Sequence, residues 1–323
     1  MTKRKTINAA ACLAVFACLC LLLIFPQYAS LSARNGIETC LTVIVPSLFP
    51  FFVISNMIIE LGLATRLGKL FSPFMRKLFR VPKEGAVVLV LGMLSGFPVG
   101  ASTAVNLYEN GLCSKNEAER MLTFSNNPSP AFVISAVGFG MIGSVSVGWL
   151  LFLCQTAAAI ITGVLISHIY KIPPEEEIYV SRGEKKKKPP FFLCFTESVK
   201  SGFASVLNVC AFIIFFLMLT GLLDKIGLWN ALGSHINLYG FNAIVSGFFE
   251  ITSGVGSLGK AIPIKAAVPL AAVILGWSGL SVHSQVLSFT LKSGLSAKPY
   301  LLSKVMQAFL GGLFALVLAN ILL

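Results

Sequence analysis

Seven stretches of this chain are apolar runs that approach the ~20 residues a helix needs to cross bilayer hydrocarbon: 7–25, 41–62, 85–107, 147–169, 203–223, 239–258 and 303–323. They predict transmembrane helices and leave little room for a soluble domain. The 323 residues are 56% hydrophobic and 12% charged, where a soluble domain carries about 25% charged residues. Two further apolar stretches, 121–137 and 267–288, hold 124-FSNNPSPAF-132 and 276-GWSGLSVHSQV-286. Their prolines, glycines and polar side chains predict re-entrant or discontinuous helices. The fold class expected is an all-α polytopic membrane protein with about seven to nine transmembrane helices and re-entrant or broken segments. The N-terminus opens on Lys3, Arg4 and Lys5 and could pass for a signal peptide. Its apolar stretch, however, exceeds a signal core of ~7–15 residues, so it reads as a retained first helix starting in the cytoplasm.

The net charge of +12 is not a nucleic-acid signature, because the basic residues lie mostly between apolar runs, as cytoplasmic loops require. The stretch 171-KIPPEEEIYVSRGEKKKKPP-190 is a charged linker. It divides the chain into an N-terminal helix (1–34), a first repeat (35–170), the linker (171–191) and a second repeat (192–323). The halves echo each other: Ser95-Gly96-Phe97-Pro98 resembles Ser246-Gly247-Phe248-Phe249, and a Phe-rich span precedes each. With the N-terminus inside and both broken segments re-entrant, 21 of the 25 basic residues fall inside. Arg34, Lys115, Arg120 and Lys225 fall outside. The halves then have opposite orientation, an inverted repeat of the kind many secondary transporters use. The segment 66-RLGKLFSPFMRKLFR-80 reads either as an amphipathic helix on the inner leaflet or as a short solvated loop. The eight cysteines show no metal spacing and imply no disulfide framework. No cofactor or metal is expected.

Four polar clusters interrupt the apolar surroundings. In 95-SGFPVGAS-102, Ser95, Gly96, Pro98 and Gly100 favour a helix break whose free amides would suit a carboxylate. In 125-SNNPSP-130, Ser125, Asn126, Asn127 and Ser129 offer donors and acceptors that bare lipid would penalise; an extracytoplasmic loop is the alternative. Glu250, with Thr252 and Ser253, is the acid set deepest in the spans, since Glu60 lies at a span end. An acid at bilayer depth costs at least about 2.5 kcal/mol and usually faces a pathway, although burial against a lysine or an interfacial position would also accommodate it. Ser281, His283 and Gln285 form the fourth cluster, where His283 either senses protonation or serves as a structural hydrogen-bonder. The sequence has no HExxH, no GxSxG, no Walker A and no paired carboxylates. An enzyme and a self-contained ATP-driven pump are therefore disfavoured.

At these motifs, 94-LSGFPVGA-101, 124-FSNNPSPAF-132, 247-GFFEITSG-254 and 276-GWSGLSVHSQV-286, the chain resembles the sporulation integral membrane proteins of the YlbJ (SpoVV) family. These carry the Gate, or nucleoside-recognition, domain. The resemblance covers roughly 35–320 and implies two Gate-type repeats. It also implies placement in the outer forespore membrane and transport of dipicolinic acid toward the developing spore. Dipicolinate is a planar aromatic dianion. The resemblance would place its carboxylates on broken-helix amides at Gly96–Gly100 and Asn126–Ser129, completed by Ser281, His283 and Gln285. Glu250 is then expected to be protonated, to couple proton movement or to pair with a cation such as Lys260. The partners expected are a small anionic substrate and membrane lipid, with no nucleic acid; a homo-oligomer stays open. Transport of a nucleoside or other metabolite is the first alternative. A non-transporting scaffold docking through Lys185–Lys188 is the second.

Overall fold

The computed structural model describes residues 2–61, 63–169, 190–233 and 240–323. Most of the linker, including Lys185–Lys188, lies outside the described residues, as do the side chains of Glu60, Arg66 and Lys260. All regular structure among the described residues is helical.

Helix α1 (Thr2–Ile24) leads to α2 (Pro26–Thr39), with Pro26 in its first turn, where a missing N–H is harmless. A π-helical turn (Cys40–Ile44) carries α2 into α3 (Val45–Glu60). Helix α4 (Leu63–Phe74) and a second π turn (Met75–Phe79) follow. Next come α5 (Gly85–Leu94), α6 (Val99–Glu109), α7 (Lys115–Ser125), a π-helical segment (Ala131–Ile142) and α8 (Val145–Ile169). Beyond the linker lie α9 (Phe191–Lys225), α10 (Leu228–Gly233), α11 (Phe241–Phe249), α12 (Ile251–Ala261), α13 (Ile264–Trp277), α14 (Gly279–Thr290) and α15 (Lys298–Leu322). Among the described residues, five segments are long and apolar enough to span: Pro26–Ile54, Val145–Ile169, Phe191–Lys225, Ile264–Ser288 and Lys298–Leu322. The chain is an integral membrane protein with multiple spans.

Two expected spans are not single helices. The run 85–107 is the pair α5 and α6, and 239–258 is the pair α11 and α12. Each pair packs side by side as a helical hairpin. The turns are tight because glycines straddle them. A Cβ on Gly100 would lie 2.9 Å from the Gly92 Cα, and one on Gly254 would lie 2.4 Å from the Gly247 Cα. The two runs read as broken do continue past their breaks. Helix α7 ends at Ser125 and resumes at Ala131, beyond Pro128 and Pro130, which lack the N–H that an unbroken helix needs. Helix α13 passes into α14 through Ser278 and Gly279, both left-handed (φ 74° and 69°).

The element order therefore repeats: hairpin, broken helix, long helix. It runs α5–α6, α7 with 131–142, and α8 in the first half, then α11–α12, α13–α14 and α15 in the second. Of the segments between the two hairpins, α8 and α9 are long and apolar enough to span; a crossing by 115–142 as well would bring the hairpins in from opposite sides, the arrangement of an inverted repeat.

The break in α7 is seated against the first hairpin. A Cβ on Gly92 or Gly100 would sit 2.1 or 1.9 Å from the Ser125 carbonyl oxygen, so only glycine admits that oxygen. Gly100→Ala should cost about 1–3 kcal/mol through overpacking, read as a lowered thermal-unfolding midpoint in detergent. Gly256→Ala adds its methyl to open space inside α12 and should raise the midpoint slightly, as Ala is favoured over Gly in a helix by about 0.5–1 kcal/mol.

Candidate functional site

A helix that stops inside a bilayer leaves its last carbonyls without partners. Side chains meet those of α7. Gln307 Nε2 donates to the Thr123 carbonyl (2.9 Å), Asn127 Nδ2 to that of Phe124 (2.6 Å), and Lys304 Nζ to that of Asn126. Lys304 also donates to Gln307 Oε1 at 2.6 Å. A cation at a helix C-terminus is favoured by the helix dipole. Lys304 is 0% exposed, and the ion pair found among the described residues, Lys200–Glu197, lies on the surface. The Lys304 nitrogen thus donates to neutral oxygens, a backbone carbonyl and the Gln307 amide. Sequence reading counted Lys304 among the inside charges, at the start of the 303–323 run. The signal available was a lysine already inside an apolar run, with Gln307 one turn on.

Across the halves, Gln155 of α8 donates through Nε2 to the Ala272 carbonyl of α13 at 2.7 Å. Ala272 lies more than a turn before the end of α13, so this bond ties the two helices together rather than supplying a carbonyl left bare by a break.

From the α7 break a polar network runs to α14. Asn126 Nδ2 donates to the Tyr300 hydroxyl at 3.2 Å, and that hydroxyl shares a hydrogen bond with His283 Nδ1 at 2.8 Å. The His283 ring lies edge-on to Trp277, with centroids 4.5 Å apart. Tyr300, like Lys304 and Gln307, escaped the sequence reading.

A cavity lies at the meeting point of the two hairpin turns and the two helix breaks. Ser95 comes from the first turn and Glu250 from the second, Ser129 from the end of the α7 break, and Ser281 and Gln285 from the start of α14. Phe52, Phe97 and Phe132 form much of the apolar wall. Its volume is about 20 Å³, room for about one water. Glu250, 2% exposed, caps α12: its Oε2 accepts from the Ser253 amide (2.8 Å) and from the Thr252 hydroxyl. Thr252 and Ser253 therefore hold Glu250 rather than line the cavity, and pairing with Lys260 lies outside the described residues.

Other expected site residues are placed differently. The Val99 and Gly100 amides bond to the Gly96 carbonyl (3.0 and 3.4 Å), so these two amides are not the free anion cradle expected there. Gly96 adopts φ 73°, and a Cβ there would meet the Ser129 amide nitrogen at 2.5 Å, so the turn requires glycine on both counts. Pro98 stands at the start of α6. Asn127 Nδ2, besides its carbonyl, lies 3.6 Å from the Met93 sulfur. Several buried polar atoms at these breaks have no protein partner: Ser95 Oγ and Gln285 Oε1 on cavity-lining residues, and Ser125 Oγ, Asn126 Oδ1 and His283 Nε2 in the adjoining segments. Buried polar atoms are rarely left so. Their concentration here marks a polar site at bilayer depth.

Comparison with known proteins agrees with this architecture. Residues 41–145 match the Gate family model, described as nucleoside recognition. The chain is 28% identical over 321 residues to the sporulation integral membrane protein YlbJ of Bacillus subtilis (strain 168), covering 91% of this chain and 78% of that one. The two are similar along most of their length. Among solved structures, CNTnw in an inward-facing substrate-bound state superposes with TM-score 0.51 at 13% identity, over 96% of this chain and 84% of that one. A doubly substituted CNTnw in an outward-facing state gives 0.53 at 13% identity with the same coverage. At that identity the likeness shows the fold alone, a helical architecture with broken helices.

Gln307→Leu strips the Thr123 carbonyl and one side of Lys304 of partners. It should destabilise the protein by about 1–3 kcal/mol for each buried group left unpaired, measured as thermal unfolding in detergent.

Proposed function

We propose that this chain is a secondary or facilitated transporter that moves dipicolinate, a small aromatic dicarboxylate, across the outer forespore membrane toward the developing spore. One observation carries the transport reading: two hairpin turns and two helix breaks converge on one buried cavity with unpartnered polar atoms on its lining residues. Discontinuous helices at the bilayer midplane commonly form transporter sites. The sporulation name of the similar Bacillus subtilis protein supports the biological setting, and the fold shared with CNTnw supports transport over catalysis.

The anionic, aromatic character of the cargo draws on two features. Lys304 places an amine donor at the α7 break with no ion pair among the described residues, and the phenylalanines of the cavity wall suit a planar ring. A cavity of about 20 Å³ is too small for a ring with two carboxylates, so this conformation is closed. Binding requires the hairpins to withdraw from the breaks. In this reading residues 35–170 and 192–323 are the two repeats, and their relative movement opens the site. Glu250 then holds the second hairpin turn in shape and accepts a hydrogen bond or proton as the site changes state. A nucleoside cargo is the second reading, favoured by the match of 41–145 to the nucleoside-recognition family.

Uptake of labelled dipicolinate into sealed proteoliposomes tests both. The wild type should show saturable uptake. Glu250→Gln, which keeps an acceptor for the α12 start but cannot take up or release a proton, should lower it about tenfold or more while the protein stays in the membrane. Excess unlabelled nucleoside should not compete. Competition by nucleoside would shift the cargo to the second reading, and no uptake of either solute, with or without a pH gradient, would overturn both.

A further inference from the structure

The segment 69–84 plays no part in the cavity, yet it carries a site of its own. Along α4 and the second π turn, Leu70, Phe71, Phe74 and Leu78 are exposed, interleaved with Lys69, Arg76, Lys77 and Arg80. Of the two sequence readings, a helix it is. Exposed apolar side chains alternating with cations are the pattern of a helix lying in the membrane interface. Helix α3 delivers the chain to this segment, and α5 takes it back into the apolar interior.

At that re-entry the backbone is firmly set. Arg80 is left-handed (φ 52°), and its carbonyl accepts from Arg120 Nη1 at 3.1 Å. The amides of Gly85, Ala86 and Val87 donate to the carbonyls of Pro82, Lys83 and Glu84 at 2.9, 3.1 and 3.0 Å. Between the π turn and the start of α5 opens a cavity of about 240 Å³, lined by Ser72, Arg76, Pro82, Lys83 and Glu84.

This cavity presents two cations and one carboxylate, and no ion pair joins them; the pair found among the described residues is Lys200–Glu197. Opposite charges that share a cavity without meeting frame a ligand that itself carries both signs. A phosphate fits the guanidinium and ammonium as a charge-assisted acceptor, and a ligand ammonium fits the carboxylate. The exposed Leu70 and Phe74 continue the surface with apolar contact suited to acyl chains. Basic cavities at the cytoplasmic ends of helices are common lipid headgroup sites; Glu84 adds selectivity for an amine.

We propose that this cavity binds the headgroup of an aminophospholipid of the inner leaflet. Arg76, Lys83 and the Ser72 hydroxyl take the phosphate, and Glu84 takes the ammonium. The lipid would tie the interfacial segment to the root of the first hairpin. The proposal stands apart from the cargo, because none of its residues touches the central cavity.

The test is equilibrium binding of phosphatidylethanolamine, phosphatidylglycerol and phosphatidylcholine to the full-length protein in detergent, read by native mass spectrometry. Phosphatidylethanolamine should bind best. Arg76→Ala with Lys83→Ala should weaken it about tenfold or more, as loss of charge-assisted bonds predicts. Glu84→Gln should bring phosphatidylethanolamine and phosphatidylglycerol to similar affinity. Arg76 and Lys83 are exposed, so the variants should keep the wild-type unfolding midpoint. The proposal falls if phosphatidylglycerol or phosphatidylcholine binds the wild type as tightly as phosphatidylethanolamine. It falls equally if the double variant binds normally, or if free phosphoethanolamine displaces the lipid at equal concentration, which would make the ligand a soluble metabolite.

Discussion

The structure depends on how a helix is allowed to end inside a membrane. The last carbonyls of α7 have no water to turn to, and each exposed one would cost several kcal/mol in hydrocarbon. Four carbonyls are dealt with by contacts of different kinds: Gln307 on Thr123, Asn127 on Phe124, a two-glycine cradle around Ser125, and Lys304 on Asn126. Because three of those contacts come from distant parts of the chain, the break fixes the place of α15 and of the first hairpin at once. The central cavity is a by-product of that arrangement, since the residues following the break are free to face inward only once its carbonyls are satisfied.

The polar site follows the same logic. Glu250 is stable at depth because it stands at the start of α12, where a helix offers amide donors and a positive dipole end. The end of α7 is the reverse case, with a cation against carbonyls. One half thus places a carboxylate at a helix start and the other half's broken helix receives a lysine at its end. Each group is met by helix-end backbone and one neighbouring side chain, Thr252 for Glu250 and Gln307 for Lys304, rather than by the other group. That leaves the space between the two breaks open to a ligand without first breaking a salt bridge.

Sequence reading found the material of the fold but not its path. Apolar length marks lipid-compatible segments, and Pro128, Pro130, Ser278 and Gly279 mark interruptions, because their backbone demands are local. Length cannot separate one twenty-residue rod from two ten-residue arms folded together. For that reason 85–107 and 239–258 read as spans although they are hairpins. The glycine pairs Gly92–Gly100 and Gly247–Gly254 were the local hint, as each pair is spaced about a hairpin turn. At the site, Ser95, Ser129, Glu250, Ser281 and Gln285 were legible as polar residues in apolar runs. Lys304 was not, because a lysine near a span end usually snorkels to the surface. Only the tertiary placement of the α7 break beside α15 explains why this one points inward.

The donors that α15 supplies to α7 have a consequence for how such a chain is put together. Gln307 and Lys304 meet the Thr123 and Asn126 carbonyls, and no residue of the first half takes their place. The first half therefore stays unfinished until α15 has been synthesised and inserted. Completion of the earlier helices waits on a helix made long after them.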